Sequence, residues 1–69
     1  MEYVKNKVSI LRKNQNITQE ELATKVGVSR QTIAAIEKGN YIPSLLLGIK
    51  IAKFFNKKVE EVFVHRNEK

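Results

Sequence analysis

Apolar residues recur along nearly the whole chain at spacings of three and four, the period of an amphipathic helix. The pattern lapses wherever turn-forming residues stand. In the first segment Val4, Val8 and Leu11, with Ile10, line one face among Lys5, Lys7, Arg12 and Lys13, and the helix fades at "NQN", residues 14–16. "TQEELATKV" follows, where Thr18 and Glu21 have the spacing of a capping box and Leu22, Ala23 and Val26 form the inward stripe. Gly27 ends that helix, because the chain turns there with positive φ. Ser29 caps a third helix, which stops at Gly39. "NYIPS" reads as a loop, since Pro43 pushes Ile42 into an extended conformation. Ser44 caps a fourth helix, "LLLGIKIAKFF", and "VEEVF" closes with a short turn through Val59, Val62 and Phe63. The spacing therefore predicts an all-α, five-helix domain over residues 1–69. At the two ends "EYV" and "VFVHR" are β-leaning, and two readings stay open: a two-stranded ribbon, or frayed termini.

Two short helices joined by a glycine-containing turn make a helix-turn-helix over about residues 18–38. Its second helix, about 30–38, is "RQTIAAIEK". Val28 sits in the turn, placed to plug the gap between the helices. Ile33 and Ile36 face inward, toward Leu22, Ala23 and Val26. Arg30, Gln31, Thr32, Ala34 and Ala35 are left outward, all slim or able to hydrogen-bond. A helix entering a major groove about 12 Å wide has little room on that face. Arg pairs bidentately with guanine, Gln with adenine, and Ala offers a methyl to thymine. The bland alternative is an ordinary helical hairpin with a polar outer face. Glu37 follows Ile33 and Ile36 on the inward side, where an unpaired carboxylate is costly, and Arg12 is the obvious partner.

Composition narrows the function. Thirteen Lys and Arg against seven acidic residues leave a formal charge of +6, a balance suited to a polyanion. Cys and Asp are absent and His65 is the only histidine, so disulfides, a metal centre and most acid–base chemistry have no residues to work with. An enzyme, a cofactor and a small-molecule ligand are not expected. No apolar run approaches the roughly 18 residues of a membrane span, and "MEYVKNK" lacks the apolar stretch of a signal peptide. The expectation is a soluble, cytoplasmic chain.

The string "TQEELATKVGVSRQTIAAIEKG…PSLLLGIKIAKFF…VEEVF" resembles the phage-repressor (Cro/cI-type, or XRE) helix-turn-helix domains. The resemblance covers roughly residues 5–63. It rests on Thr18-Gln19, Leu22-Ala23, Gly27, Ser29, Ile33, Ile36-Glu37, Gly39, Pro43-Ser44 and Ile51-Ala52. The length and the tail after Phe63 are similar to small dimeric repressors related to the cytolysin regulator, in which flanking residues add a β-ribbon. What the resemblance implies is a lambda-repressor-like fold that binds double-stranded DNA. Ser29, Arg30, Gln31 and Ala35 would then face base edges. Gln19 would bond a phosphate and steady Gln31. Thr32, Lys38, Asn40 and Tyr41 would touch the backbone with Arg12 close by, and Arg12 would pair with Glu37. Asn40 and Tyr41 also read as plain loop residues, and Lys38 as a cation at a helix C-terminus.

One stretch departs from that pattern. At about 100° per residue, Leu45, Gly48, Ile49 and Ala52 form one apolar arc of the fourth helix. Leu47, Ile51 and Phe54 form a second, and Leu46 stands between Lys50 and Lys53. So wide an apolar surface exceeds what one small core covers. Either this helix is central to its own monomer, or a second subunit covers Leu46, Leu47, Ile51 and Phe54. The expected function is a homodimeric transcriptional regulator, a repressor on a pseudo-palindromic operator. The alternative is an antitoxin- or coactivator-like module that uses the same fold to hold another protein.

Overall fold

Three helices begin at hydroxyl caps, as expected from the sequence. Thr18 accepts from the Glu21 amide at 3.0 Å while the Glu21 carboxylate accepts from the Thr18 amide at 2.8 Å. Ser29 and Ser44 accept from the amides of Thr32 and Leu47, each at 3.2 Å. Each bond satisfies a donor that the first turn leaves without an intrahelical partner. The computed structural model describes residues 1–68. Its elements run β1 (Glu2–Asn6), α1 (Val8–Asn14), α2 (Gln19–Val26), α3 (Arg30–Lys38), α4 (Leu45–Phe54), α5 (Val59–Val62) and β2 (Phe63–Asn67). Helices α2 and α3 both end on glycine, at φ 79° for Gly27 and 81° for Gly39. A Cβ at Gly39 would meet nothing within 4 Å, so the backbone angle alone selects glycine there.

The termini pair rather than fray. Strands β1 and β2 form an antiparallel two-stranded sheet in the register Glu2↔Asn67, Val4↔His65 and Asn6↔Phe63. The fold is thus five helices plus a ribbon, not helices alone. Val4 belongs to β1, which corrects its expected place on the first helix. The helix starts later because the Asn6 side chain turns the chain, its Oδ1 accepting from the Val8 amide at 3.1 Å. Ile10, expected on the inward face, is 61% exposed. Opposed residues of an antiparallel pair share a face, so Val4, Asn6 and Phe63 lie on one side and Tyr3, Lys5, Val64 and Arg66 on the other. The first side meets the helices, and the Asn6 amide donates to the Ile36 carbonyl at 2.8 Å.

The core gathers Val8, Leu22, Ala23, Val26, Ile33, Ile36, Leu47, Ile51, Ala52, Phe55 and Val62. Val28, Leu11 and Phe63 pack against it, so Val28 does fill the gap at the turn. Helix α4 crosses between α2 and α5 and is central to its own monomer. Leu47 is 7% exposed and Ile51 fully buried. This corrects their expected place on a dimer surface: their apolar area is already covered within one chain. Phe54 is half-buried, edge-on to Phe55 with ring centroids 5.0 Å apart. Of the four residues expected at that surface, Leu46 alone stays largely open, at 67% exposure.

Candidate nucleic-acid interface

Helix α3 is fixed on its inward side by two isoleucines and at one border by a carboxylate. Ile33 and Ile36 are fully buried against α2. At about 100° per residue, Gln31 and Lys38 point farthest from those isoleucines, with Ala34 and Ala35 beside them. Ser29, Arg30, Gln31 and Lys38 are exposed, and Thr32, Ala34 and Ala35 are half-buried. Of the four positions expected to face base edges, Ser29, Arg30 and Gln31 are thus exposed and Ala35 half-buried. Two small alanines keep that face narrow. Ser29 also has a structural task, since its hydroxyl lies 3.1 Å from that of Thr32 while it caps the helix.

The border carboxylate is Glu37, held by two other helices. Arg12 of α1 donates from Nε to Oε2 at 2.8 Å and from Nη2 to Oε1 at 3.1 Å. Its Nη1 donates to the Ile17 carbonyl at 2.9 Å. Gln19, the first residue of α2, donates from Nε2 to Glu37 Oε1 at 3.0 Å. The side chains of Arg12 and Glu37 are 11% and 7% exposed. Burial pushes the Glu37 carboxyl up, but the bonds from Arg12 and Gln19 outweigh it and hold it below the ordinary range. The bond to Glu37 in turn raises Arg12. One fork thus ties α1, α2 and α3 together.

That fork bears on two of the expected roles. All three guanidinium nitrogens of Arg12 are engaged within the chain, so it takes the expected structural role, and a guanidinium keeps further N–H groups for the expected phosphate contact. The Gln19 amide nitrogen steadies Glu37 rather than Gln31. Lys38 closes the last turn of α3, and Asn40 and Tyr41 follow just past its end; all three are exposed, Tyr41 at 46%. Asn40 and Gly39 close that end, their amides donating to the carbonyls of Ala35 and Ile36.

Sequence reading missed two residues here. Asn6 pins the C-terminal end of α3 from the ribbon, a contact no local pattern announces. Lys50 of α4 reaches across to the turn, its Nζ 3.6 Å from where a Cβ on Gly27 would stand. Its spacing of four from Leu46 put both on one helix face, and that was the only available sign. Among the described residues no group of three or more His, Cys, Asp or Glu is placed to hold a metal. Nor is any described helix long and apolar enough to cross a membrane.

Comparison with known proteins agrees with this geometry. The family model HTH_3, helix-turn-helix, matches residues 8–62. The HTH-type transcriptional regulator MJ0272 of Methanocaldococcus jannaschii is 57% identical over 65 residues, covering 94% of this chain and 98% of the relative. The cryptic phage CTXphi transcriptional repressor RstR of Vibrio cholerae is 37% identical over 57 residues, covering 83% of this chain and 51% of the relative. The restriction-modification controller protein C.AhdI of Aeromonas hydrophila superimposes with a TM-score of 0.74 at 27% identity, covering 80% of this chain and 83% of that one. With its capped α2, glycine turn and α3 inside the matched span, the chain belongs to the XRE-type helix-turn-helix family and is a transcriptional regulator with a helix-turn-helix DNA-binding domain.

Proposed function

We propose that the protein binds double-stranded DNA sequence-specifically as a homodimer and represses transcription by covering a pseudo-palindromic operator. The observation that carries this is the outer face of α3. Arg30 and Gln31 stand exposed beside two alanines, on a helix held by the Arg12–Glu37–Gln19 fork. In a major groove Gln31 would pair bidentately with adenine and Arg30 with guanine, and Ala35 would meet a thymine methyl. Thr32, Lys38, Asn40 and Tyr41 would bond flanking phosphates, which set register and supply affinity without reading sequence. Repression needs only occupancy, and it is the role carried in the name of the phage relative.

A second copy gives two-fold symmetry and a second half-site about 34–36 Å away. The surface proposed for it differs from the one expected on α4. Ile42 and Leu45 protrude at 64% and 75% exposure. They form part of the rim of an apolar hollow whose other lining residues are Val4, Pro43, Ser44, Gly48, Val59 and Phe63. A knob and a hollow on the same face are what an isologous contact requires, each protomer's Leu45 seating on the other's hollow. Gly48 fits this: inside its own chain a Cβ there would meet only Phe63, at 3.7 Å. Monomer packing thus has room for alanine where the helix carries the poorer helix former.

The test of base reading is Gln31→Ala, titrated against a preferred duplex and its single-base-pair variants. Affinity should fall by about 1–3 kcal/mol, with preference relaxed at one base pair in each half-site. Equal weakening on every sequence would mean that Gln31 does not read a base.

A further inference from the structure

We propose that Lys50 is a DNA-backbone anchor, a phosphate contact made from α4 rather than from the helix-turn-helix itself. The inference rests on the DNA-binding reading above. Helix α4 has two differently occupied faces. Its Leu45 and Gly48 side belongs to the apolar hollow, whereas Leu46 and Lys50, one turn apart, line a cleft of about 330 Å³ against the turn and α3. Thr32 and Tyr41, both expected on the DNA backbone, wall the same cleft. Lys50 is the one charged side chain lining that cleft, beside the hydroxyls of Thr32, Tyr41 and Ser44 and the apolar Val28 and Leu46.

Two features argue that this cation serves an external anion. The ion pairs among the described residues are Arg12–Glu37 and His65–Glu2, so Lys50 has no carboxylate partner there. Glu37 is the one acidic residue of α3 and α4 together, and it is already held by Arg12. The alternative is that Lys50 neutralises the C-terminal end of α2, as cations do at helix ends. That end already has a cation of its own, Lys25 in its last turn, and its Ala23 carbonyl accepts from the amides of both Gly27 and Val28, at 2.8 and 3.0 Å. A phosphodiester beside the N-terminal part of α3 completes the set. It would take the Lys50 ammonium together with the hydroxyls of Thr32 and Tyr41, on the strand bordering the groove that α3 enters.

The test compares wild type, Lys50→Gln and Lys50→Arg on a preferred and a scrambled duplex across a salt series, with melting temperature measured in parallel. Lys50→Gln should weaken both duplexes by a similar factor and reduce the slope of log K against log salt by about 1 per bound protomer. Lys50→Arg should keep the slope, and neither variant should change the melting temperature. Tight wild-type binding with an unchanged slope in Lys50→Gln overturns the anchor alone. So does a melting temperature lowered in Lys50→Gln and restored in Lys50→Arg with the slope unchanged in both, which would mark Lys50 as the cation neutralising the end of α2. Wild type that binds neither duplex overturns the DNA reading and the anchor with it.

Discussion

Glu37→Ala is expected to destabilise the fold by about 3–5 kcal/mol, the usual consequence of removing one partner from a buried ion pair. The loss comes mainly from what is left behind. Arg12, 11% exposed, would keep its charge with only the Ile17 carbonyl as an acceptor. Gln19 would lose its acceptor as well. A domain of this size has about 3–10 kcal/mol of stability in total, so chemical denaturation should show a variant near its limit. Arg12→Met combined with Glu37→Leu should recover much of the loss, since replacing both partners by apolar residues leaves no buried charge unpaired. A double variant as unstable as the single one would mean that the charges themselves hold α3. Acid should reveal the same pair. The Glu37 carboxyl lies below its ordinary value of 4.5 in the folded state. Its contribution is therefore complete above the unfolded value and is lost as pH falls through the lowered folded one. Stability should decline from about pH 4.5 downward in wild type, and Glu37→Gln should remove that component of the decline.

Ile51→Ala should destabilise the monomer by about 2–5 kcal/mol, because it empties a fully buried position at the centre of α4. Leu45→Glu should leave thermal stability of the monomer nearly unchanged, since Leu45 is 75% exposed. What it should change is association: sedimentation should find wild type as a dimer and Leu45→Glu as a folded monomer. The two substitutions lie on one helix and separate its two tasks. If Ile51→Ala instead dissociated a dimer while leaving each protomer stable, α4 would be turned outward and the packing described above would be wrong. If Leu45→Glu stayed dimeric, the hollow over Gly48 would be open to a different protein, as the interaction-module reading requires.

Helix ends were legible because they are local. A hydroxyl and a glutamate three residues apart, or a glycine after an apolar stripe, act within one turn, and Thr18, Ser29, Ser44, Gly27 and Gly39 stand where such patterns put them. The ribbon was legible only as one of two readings. Its strands pair residues about 60 apart in the chain, and no turn between them fixes the register. Helix α4 misled for a different reason. Its apolar residues surround most of the helix, so periodicity could not say which of them face inward. Leu47 and Ile51 went to the core, Leu45 and Leu46 to the surface. At the interface, the outward set of α3 followed from the burial of Ile33 and Ile36. The engagement of Arg12 and Gln19 by Glu37 could not be read in full, because which donors converge on one carboxylate depends on how three helices meet.

Selection of bound sequences from a randomised duplex pool, followed by anisotropy titration of the enriched duplex and a scrambled one, tests sequence-specific recognition most directly. The enriched duplex should contain two inverted half-sites with centres about 10 base pairs apart. It should bind about 10³-fold or more tighter than the scrambled one at matched salt. A pool that enriches no sequence, with weak and equal binding to every duplex, would contradict base reading by α3.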